Sequence, residues 1–393
     1  MNIDCPADSS AFIQSGRDLR LDFLRGLIML LVVLIHLSYL SLLSMFAWER
    51  IGLVSSAEGF VFLSGTVLGL VSKKRMTTEA WFTTARRLWR RSVQLYIAYL
   101  VIIFSIVLFR MIPGIETFDV THWIDFNTGL VYPVFPDPDL PWSTFLERAL
   151  LLRMGPHQFQ IIGLYILLIA FSPIILFLIR QGKTLWVLVW IWTIFTLDDF
   201  YHFNVTHAQF EYAFPLLSWQ ALFFTGIAIG YHRKTMFSYI TAPKQQWLNN
   251  LAWLVALGLF FLAMNNTNAL FWPGPTFSLI DPEAYTEMYV RWFDKTWLGV
   301  GRVINNAALF IILFNALTYH WPKFNKLLGW FLIPIGQASL YVFILHIYFI
   351  VLISSTPLPG YENILINTGI HLFTLIMIWW MVKNQFLFKI IPR

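Results

Sequence analysis

The sequence predicts an all-α polytopic membrane protein, a bundle of about ten transmembrane helices with an extracytoplasmic cap. Two observations favour this fold class. Hydrophobic residues make up 58% of the 393 positions and charged residues only 12%, which is too few charges to cover a soluble globule of this length. The basic residues also cluster at the ends of apolar segments, as membrane orientation requires. This clustering argues against nucleic acid as a partner.

Ten segments have the length, or the flanking aromatic residues, expected of membrane spans, which need roughly 17 to 25 residues. They are 23–45, 55–72, 92–112, 159–179, 184–197, 216–231, 247–264, 299–319, 334–354 and 365–382. Residues 1–22 are predicted to be a cytoplasmic tail and residues 23–393 a single transmembrane domain. The single cysteine, Cys5, lies in the tail, so neither an intrachain disulfide nor a thiol nucleophile within the helices is expected.

The distribution of basic residues supports this count, because a missed or extra span would place basic loops on both sides of the membrane. With the N-terminus inside, the predicted outer side keeps only Arg50, Arg110, Arg148, Arg153, Arg291, Lys295 and Arg302. Both termini are therefore predicted to be cytoplasmic. The long outer segments 113–158, 198–215 and 265–298 are rich in aromatic residues, so we expect a folded cap and not disorder. Within the first of them, residues 142–153 are predicted to form an interfacial amphipathic helix.

His36 lies deep inside the first predicted span. At a rise of about 1.5 Å per residue it lies roughly 20 Å above the inner edge of the helix, in the outer half of a hydrocarbon core about 30 Å thick. An ionisable residue at this depth is expensive and is read as functional by default. Two roles fit: a neutral histidine bonded across a helix interface, and a general base in a water-accessible cavity. His346 reaches a comparable depth from the cytoplasmic side.

Glu58 opens the second predicted span, on the same helix face as Gly65 and Gly69. The G-x-x-x-G of these glycines lets a neighbouring helix approach closely, and we expect that neighbour to be the first span, which a short outer loop joins to the second. In such an antiparallel hairpin, Ser64 lies near the depth of His36 and Glu58 one to two turns above it. Glu58 is then either a partner that orients His36 or a carboxylate in the headgroup zone.

A basic collar precedes the first span and follows the second. Orientation in the membrane accounts for part of it. The collar contains more basic residues than orientation requires, among them the pairs Arg86-Arg87 and Arg90-Arg91. Such a cluster suits a polyphosphate ligand such as coenzyme A, because guanidinium groups make forked contacts with phosphates. The candidate donor-binding residues are Arg17, Arg20, Arg25, Arg86, Arg87 and Arg90.

Other polar and aromatic side chains are of the types that bond sugar hydroxyls and stack on sugar rings. The candidates for acceptor binding or oxyanion stabilisation are Ser64, His157, Gln158, Trp219, Gln220 and Gln337. The outer segment 198–212 adds acids, aromatics and amides. The spacing of its histidines and aspartates matches no known metal-ligand pattern, so no metal is predicted.

Four stretches carry a resemblance to a known family: RDLRLDFLRGLIMLLVVLIH at 17–36, SSAEGFVFLSG at 55–65, FPLLSWQALFFTGIAIGY at 214–231 and GQASLYVFILHI at 336–347. In order and spacing they resemble the OpgC-type membrane acyltransferases. The resemblance implies ten spans in a bacterial inner membrane with cytoplasmic ends. It also implies an acyl-coenzyme A donor on the inner side and transfer of an acyl group, succinyl in the named members, to glucan outside. In a wider grouping of sugar-modifying transmembrane acyltransferases, a first-helix histidine is taken as catalytic, and that role falls on His36.

One position departs from the family pattern. Many members have an aspartate immediately before this histidine, and here the residue is Ile35. The hairpin argument makes Glu58 our candidate for the missing carboxylate, and His346 is a second candidate partner for His36. Both are included with His36 as predicted catalytic residues.

The sequence therefore favours an enzyme that moves an acyl group, such as succinyl or acetyl, from cytoplasmic acyl-coenzyme A to a hydroxyl of a periplasmic or cell-surface glycan. No tightly bound cofactor is predicted. The alternative is a transporter or flippase for a glycan or an acyl carrier, with the histidines as a proton relay. Transporters commonly contain inverted repeats, and no such symmetry is visible between the two halves of this chain.

Overall fold

A computed structural model describes residues 12–14, 16–47, 52–125, 129–136, 140–267, 274–358 and 363–392. Cys5, and with it most of the predicted tail, lies outside the described residues. Two short antiparallel strand pairs are present within them. Strand β1 (Ile13–Gln14) pairs with β2 (Arg17–Asp18), and β3 (His122–Ile124) pairs with β4 (Val131–Pro133).

The remaining regular structure is helical. In chain order, the α-helices of the described residues are α1 Leu19–His36, α2 Ser56–Met76, α3 Trp81–Arg110, α4 Phe118–Thr121, α5 Trp142–Leu150, α6 Ile161–Arg180, α7 Thr184–Tyr201, α8 Leu216–Tyr231, α9 Arg233–Thr241, α10 Gln246–Ala263, α11 Pro282–Phe293, α12 Val300–Tyr319, α13 Trp321–Phe324, α14 Trp330–Gln337, α15 Ser339–Ser354 and α16 Ile364–Lys383. Helical residues occur in every one of the ten predicted spans.

Several of these helices have the properties of membrane spans. Five helical segments are long and apolar enough to cross a bilayer: Trp81–Arg110, His157–Arg180, Pro243–Ala263, Val300–Tyr319 and Ile364–Lys383. The bent pair Trp321–Gln337 and Ser339–Ser354 adds a sixth if it counts as one span. The predicted total of ten exceeds this number, partly because α1 contains Arg20, Asp22 and Arg25 within its first two turns. The protein is an all-α membrane protein.

Three predicted boundaries are wrong. The first span does not run to residue 45, because α1 ends at His36 and Ser38 adopts a positive φ of 52°. The third helix begins at Trp81 instead of residue 92. The span predicted at 334–354 is not one helix, since α14 and α15 meet at Ala338 with a bend of 88°.

Close helix contacts at glycines position α1. A Cβ at Gly26 would overlap the backbone carbonyl of Leu332 in α14, and a Cβ at Gly336 would overlap the carbonyl of Asp22 in α1. The two backbones therefore approach at both glycines, which is the packing that small residues permit between membrane helices. This contact fixes the lower half of α1 beside α14, while α15 runs away from the bend toward the end of α1.

The predicted partner of the G-x-x-x-G motif is also wrong. Gly65 and Gly69 face the backbone carbonyls of Phe223 and Ile227 in α8, not the first helix. From α8, Gly230 faces the carbonyl of Thr66 in α2 in the same way. Helices α2 and α8 consequently pack backbone to backbone. Glu58 lies in the first turn of α2, at one end of this helix pair.

This packing gives a direct test. We expect Gly65→Leu to destabilise the protein by about 1 to 3 kcal/mol or more, because the new side chain would overlap backbone atoms that cannot rotate away. Gly258→Leu in α10 is the matched control, since nothing lies within 4 Å of a Cβ at that helical glycine. Thermal unfolding of the purified variants in detergent measures both. Equal unfolding temperatures for the two variants would contradict the contact.

Candidate functional site

Two histidines from distant parts of the chain meet at the end of α1. His36 Nδ1 lies 2.8 Å from His346 Nε2, and the rings stack with centroids 5.0 Å apart. His346, in the middle of α15, is only 1% exposed, whereas His36 is partly exposed and lines a cavity. The prediction of a similar depth for the two histidines therefore corresponds to direct contact between their rings.

The chain after His36 is held away from the ring by contacts with α16. The amide of Asn367 donates to the Leu40 carbonyl at 3.0 Å, and the Leu42 N–H donates to Thr368 Oγ1 at 3.0 Å. His371 Nδ1 lies 2.6 Å from Ser41 Oγ. These contacts satisfy backbone and side-chain groups of the segment that leaves the helix, as buried polar groups require. Because the helix stops at His36, the imidazole faces open space and not a further helical turn.

An aromatic layer lies directly below the histidine pair. The Phe343 ring is 5.0 Å from the His346 ring, centroid to centroid, and it stacks on Phe60 at 5.7 Å and on Phe159 at 5.4 Å. Tyr165 contacts the other side of Phe60 with ring centroids 5.4 Å apart. The layer therefore packs against the histidine pair, and two of its members, Phe60 and Phe343, line the same cavity as His36.

Above the histidines is a cavity of about 1570 Å³. We call the described parts of segments 113–158, 198–215 and 265–298 the cap, and all three segments contribute to the cavity lining together with His36. Small-molecule sites are usually about 300 to 1,000 Å³, so this cavity has room for several sugar units. Its walls include the aromatic residues Trp123, Tyr132, Phe135, Tyr212, Phe214, Tyr285 and Tyr289.

Tyr285 of the cap is one of the polar wall residues. It is 5% exposed, and burial raises the pKa of its hydroxyl, with the neighbouring Tyr289 as a second, smaller cause. The group therefore stays protonated at neutral pH and can donate a hydrogen bond. Groups of this kind fix the orientation of a polyhydroxyl ligand.

The predicted acceptor residues divide between the cavity and helix packing. His157 and Gln158 line the cavity, and the Gln158 amide donates to the Asp119 carbonyl at 2.7 Å. Trp219 and Gln220 instead join helices: Trp219 Nε1 donates to the Thr296 carbonyl at 2.9 Å, and the Gln220 amide donates to the Ile191 carbonyl at 2.8 Å. Neither belongs to the cavity lining, so the structure does not bring them together with His36, and their role in acceptor binding stays a prediction.

Ser64 and Gln337 are also not placed with the histidines. Ser64 lies beside Tyr165, below the aromatic layer. The Gln337 amide donates to Asp22 Oδ2 at 3.2 Å, near the start of α1. The structure therefore does not bring either side chain to the histidine pair. Height along a helix gives the depth of Ser64 but not the rotation of its side chain about the helix axis.

Glu58 does not contact His36. One carboxylate oxygen accepts from Arg302 Nε at 2.5 Å, and the other accepts from the backbone and hydroxyl of Ser55 in a helix-capping box. Both side chains of the ion pair are buried, at 0% and 3% exposure. The prediction that Glu58 orients His36 is therefore wrong, and its negative charge is balanced by Arg302 of α12.

The predicted donor-binding residues fall into three groups. Arg20 is buried and committed to internal contacts, with Asp18 at 2.7 Å and Thr318 at 2.7 Å, so its predicted contact with donor is wrong. Arg17 and Arg25 flank Asp22, with nearest N···O distances of 3.5 and 4.0 Å, and Arg25 also bonds Ser339. Three arginines are exposed along the first turns of α3: Arg86, Arg87 and Arg90.

Two further cations lie near these clusters, and neither is among the predicted site residues. Arg91 of α3 lies close enough to Arg25 to repel it electrostatically, and Lys295 of the cap does the same toward His36 and His157. The Lys295 backbone lies in a turn where Trp297 N–H donates to Asp294 Oδ1 at 2.8 Å. No local pattern marks Lys295, because its proximity to His36 depends on how the cap folds. Arg91 could have been found from its position beside the buried face of α3.

Together these features define a class of protein: a membrane-embedded helical bundle with a histidine pair at the base of a polar and aromatic cavity, and a cluster of arginines near the start of the same first helix. A family model described as "OpgC protein" matches residues 17–390. The chain belongs to the OpgC family, which indicates in general terms a glucan-modifying acyltransferase. No curated protein and no solved structure matches the chain.

Proposed function

We propose that the protein transfers an acyl group, such as succinyl or acetyl, from cytoplasmic acyl-coenzyme A to a hydroxyl of a periplasmic or cell-surface glycan. In this proposal it lies in the bacterial inner membrane with ten spans and both termini in the cytoplasm, so that the cap and its cavity face the periplasm. The single observation that carries the proposal is the contact between His36 and His346 at the base of the cavity.

The histidine pair suits general-base chemistry. In this proposal His346 carries its proton on Nδ1, which has no hydrogen-bond partner among the described residues, so that its Nε2 is the acceptor. His36 then donates its Nδ1–H across the 2.8 Å contact, and its Nε2 carries the lone pair. The tautomer of a catalytic histidine is set in this way by the bond that its other nitrogen makes. His346 is the positioning residue that replaces the aspartate absent at Ile35.

The proposed reaction is a direct acyl transfer. His36 Nε2 takes the proton of the glycan hydroxyl while that oxygen attacks the thioester carbonyl. The tetrahedral intermediate then expels the thiolate of coenzyme A, which recovers the proton from His36, leaving an ester on the glycan and free coenzyme A. Lys295, whose positive charge acts on His36, supplies positive charge where the oxyanion develops.

The donor would approach from the opposite end of α1. Arg17, Arg25 and Arg91 form a cationic group there, and guanidinium forks suit the phosphates of coenzyme A. Arg25 precedes His36 by eleven residues, a rise of roughly 16 Å along the helix. The thioester must therefore pass the layer of Phe60, Phe159 and Phe343, and the rings must move aside to admit it.

We expect the purified protein to move labelled acyl groups from acyl-coenzyme A to glucan, with equal amounts of free coenzyme A released. Mass spectrometry of the glucan and a thiol assay measure the two products. The control is the same mixture without glucan, which should release coenzyme A only slowly. If no labelled glucan forms, and proteoliposomes without any acyl donor accumulate glucan, the protein is a transporter and the proposal is wrong.

A further inference from the structure

The basic residues of the cap are concentrated in one place. Six of the described arginines and lysines are predicted to lie on the outer side of the membrane. Five of them line the cavity: Arg110, Arg148, Arg153, Lys295 and Arg302. The sixth, Arg291, is an exposed residue that pairs with Asp199 at 3.6 Å. Basic residues on the outer side oppose the usual charge bias of membrane proteins, so orientation does not account for this concentration.

Two of the five have the roles described above. Arg302 is neutralised by Glu58, and Lys295 faces His36 and His157. Two acidic residues, Asp125 and Asp294, also belong to the described lining. Asp294 is engaged in the turn that holds Lys295, where it accepts from the Trp297 N–H.

The remaining three arginines share one wall. Arg110, at the end of α3, donates to the Pro136 carbonyl at 3.5 Å, and two residues earlier the Val134 carbonyl accepts from Gly155 N–H at 3.2 Å. Residues 134–136 therefore lie between Arg110 and the turn that follows α5. Arg153 belongs to that turn and Arg148 to the last turn of α5, and the Arg153 N–H donates to the Arg148 carbonyl at 2.7 Å.

The wall is held firmly in place by α3. The Tyr96 hydroxyl donates to the Leu150 carbonyl at 2.8 Å and the Tyr99 hydroxyl donates to the Met154 carbonyl at 2.9 Å. The guanidinium of Arg153 contacts Glu147 at 3.3 Å, with both side chains largely exposed. Exposed pairs of this kind contribute about 0 to 1 kcal/mol, so a ligand can compete for the arginine.

We propose that the acceptor glycan carries an anionic group, a phosphate or a carboxylate, and that Arg110, Arg148 and Arg153 bind it. This inference rests on the proposed acyl transfer and names the substrate class of its acceptor site. Guanidinium groups bind both anions in forked, charge-assisted geometry. The aromatic residues Tyr212, Tyr285 and Tyr289 on the same cavity lining supply surfaces for the neutral sugar rings.

The test compares a neutral glucan with the same glucan bearing phosphate monoesters. We expect the full-length protein to bind the phosphorylated glucan at least about tenfold more tightly, because charge-assisted hydrogen bonds to guanidinium groups are stronger than neutral ones. The double variant Arg148→Gln/Arg153→Gln should remove this preference, and 0.5 M salt should weaken it. Arg291→Gln is the matched control, because this cap arginine does not line the cavity. Equal affinity of the wild type for the two glucans would overturn the proposal.

The transfer assay, run in parallel, separates this proposal from the proposed function. Preferential binding without any acyl transfer would support the anion site and contradict the acyltransferase. Each of the two glucans is tested with each of two donors. One donor carries an acetyl group and the other carries a dicarboxylic acyl group. If the double variant raises KM only for the dicarboxylic donor, whichever glucan is present, the arginines bind the acyl group and the assignment to the acceptor is wrong. A KM increase confined to the phosphorylated glucan supports it.

Discussion

His36→Asn is expected to lower kcat/KM for acyl transfer by about 10²- to 10⁴-fold, the usual contribution of a general base. Asparagine places an amide nitrogen close to the position of Nδ1, so the variant keeps a donor toward His346 Nε2 while it loses the basic Nε2. The loss should therefore appear in kcat without a comparable change in the unfolding temperature. The assay is transfer of labelled acyl groups from acyl-coenzyme A to glucan.

Two further variants make this prediction specific. His346→Leu removes the acceptor for His36 Nδ1 and should reduce kcat, whereas His346→Gln keeps an amide oxygen near the position of Nε2 and should recover part of the loss. His320→Asn, at an exposed histidine between α12 and α13, should behave as the wild type does. Full activity of His36→Asn would rule out the general-base mechanism. Equal activity of His346→Leu and His346→Gln would show that His346 does not act by positioning His36.

The sequence was sufficient to predict an all-α membrane protein and to single out His36 and His346. Apolar runs of the right length mark membrane helices because the bilayer dictates both length and composition. An ionisable residue within such a run has a high free-energy cost and is therefore a candidate functional residue. Counting the rise from opposite ends gave His36 and His346 similar depths, and the structure brings their rings within 2.8 Å.

The lateral arrangement of the helices could not be derived in the same way. The position of a residue in a helix gives its height along the helix and the helix face on which it lies. Which other helix packs against that face depends on segments that are distant in the sequence. Gly65 faces α8 for this reason, although α1 is closer in sequence. That α1 ends at His36 could not be predicted either, because this end depends on contacts of residues 40–42 with α16. Lys295 approaches His36 only through the fold of the cap.

Glu58 shows what this limitation means for function. The residue was predicted as a partner of His36, and its structural partner is Arg302, 244 positions away along the chain. Arg302 also donates to the Phe293 carbonyl at 3.3 Å. The ion pair therefore connects α2, α12 and the end of α11.

Glu58→Gln is accordingly expected to destabilise the protein by about 3 to 5 kcal/mol, because it leaves the buried Arg302 charge without its counterion. Arg302→Met alone should cost a similar amount by leaving the carboxylate unpaired. The double variant should be more stable than the sum of the single losses predicts, since neither charge then remains buried. Thermal and denaturant unfolding in detergent measure all three variants, and the coupling energy follows from the double-mutant cycle.

The same variants decide between the two roles of Glu58. Asp199→Asn, which breaks the more exposed pair with Arg291, is the stability control and should change the unfolding free energy by no more than about 1 kcal/mol. A Glu58→Gln protein that unfolds at the wild-type temperature and yet loses acyl transfer would mean that the carboxylate serves catalysis directly. Loss of stability with activity recovered in the double variant places Glu58 in the scaffold, and leaves His346 as the group that orients His36.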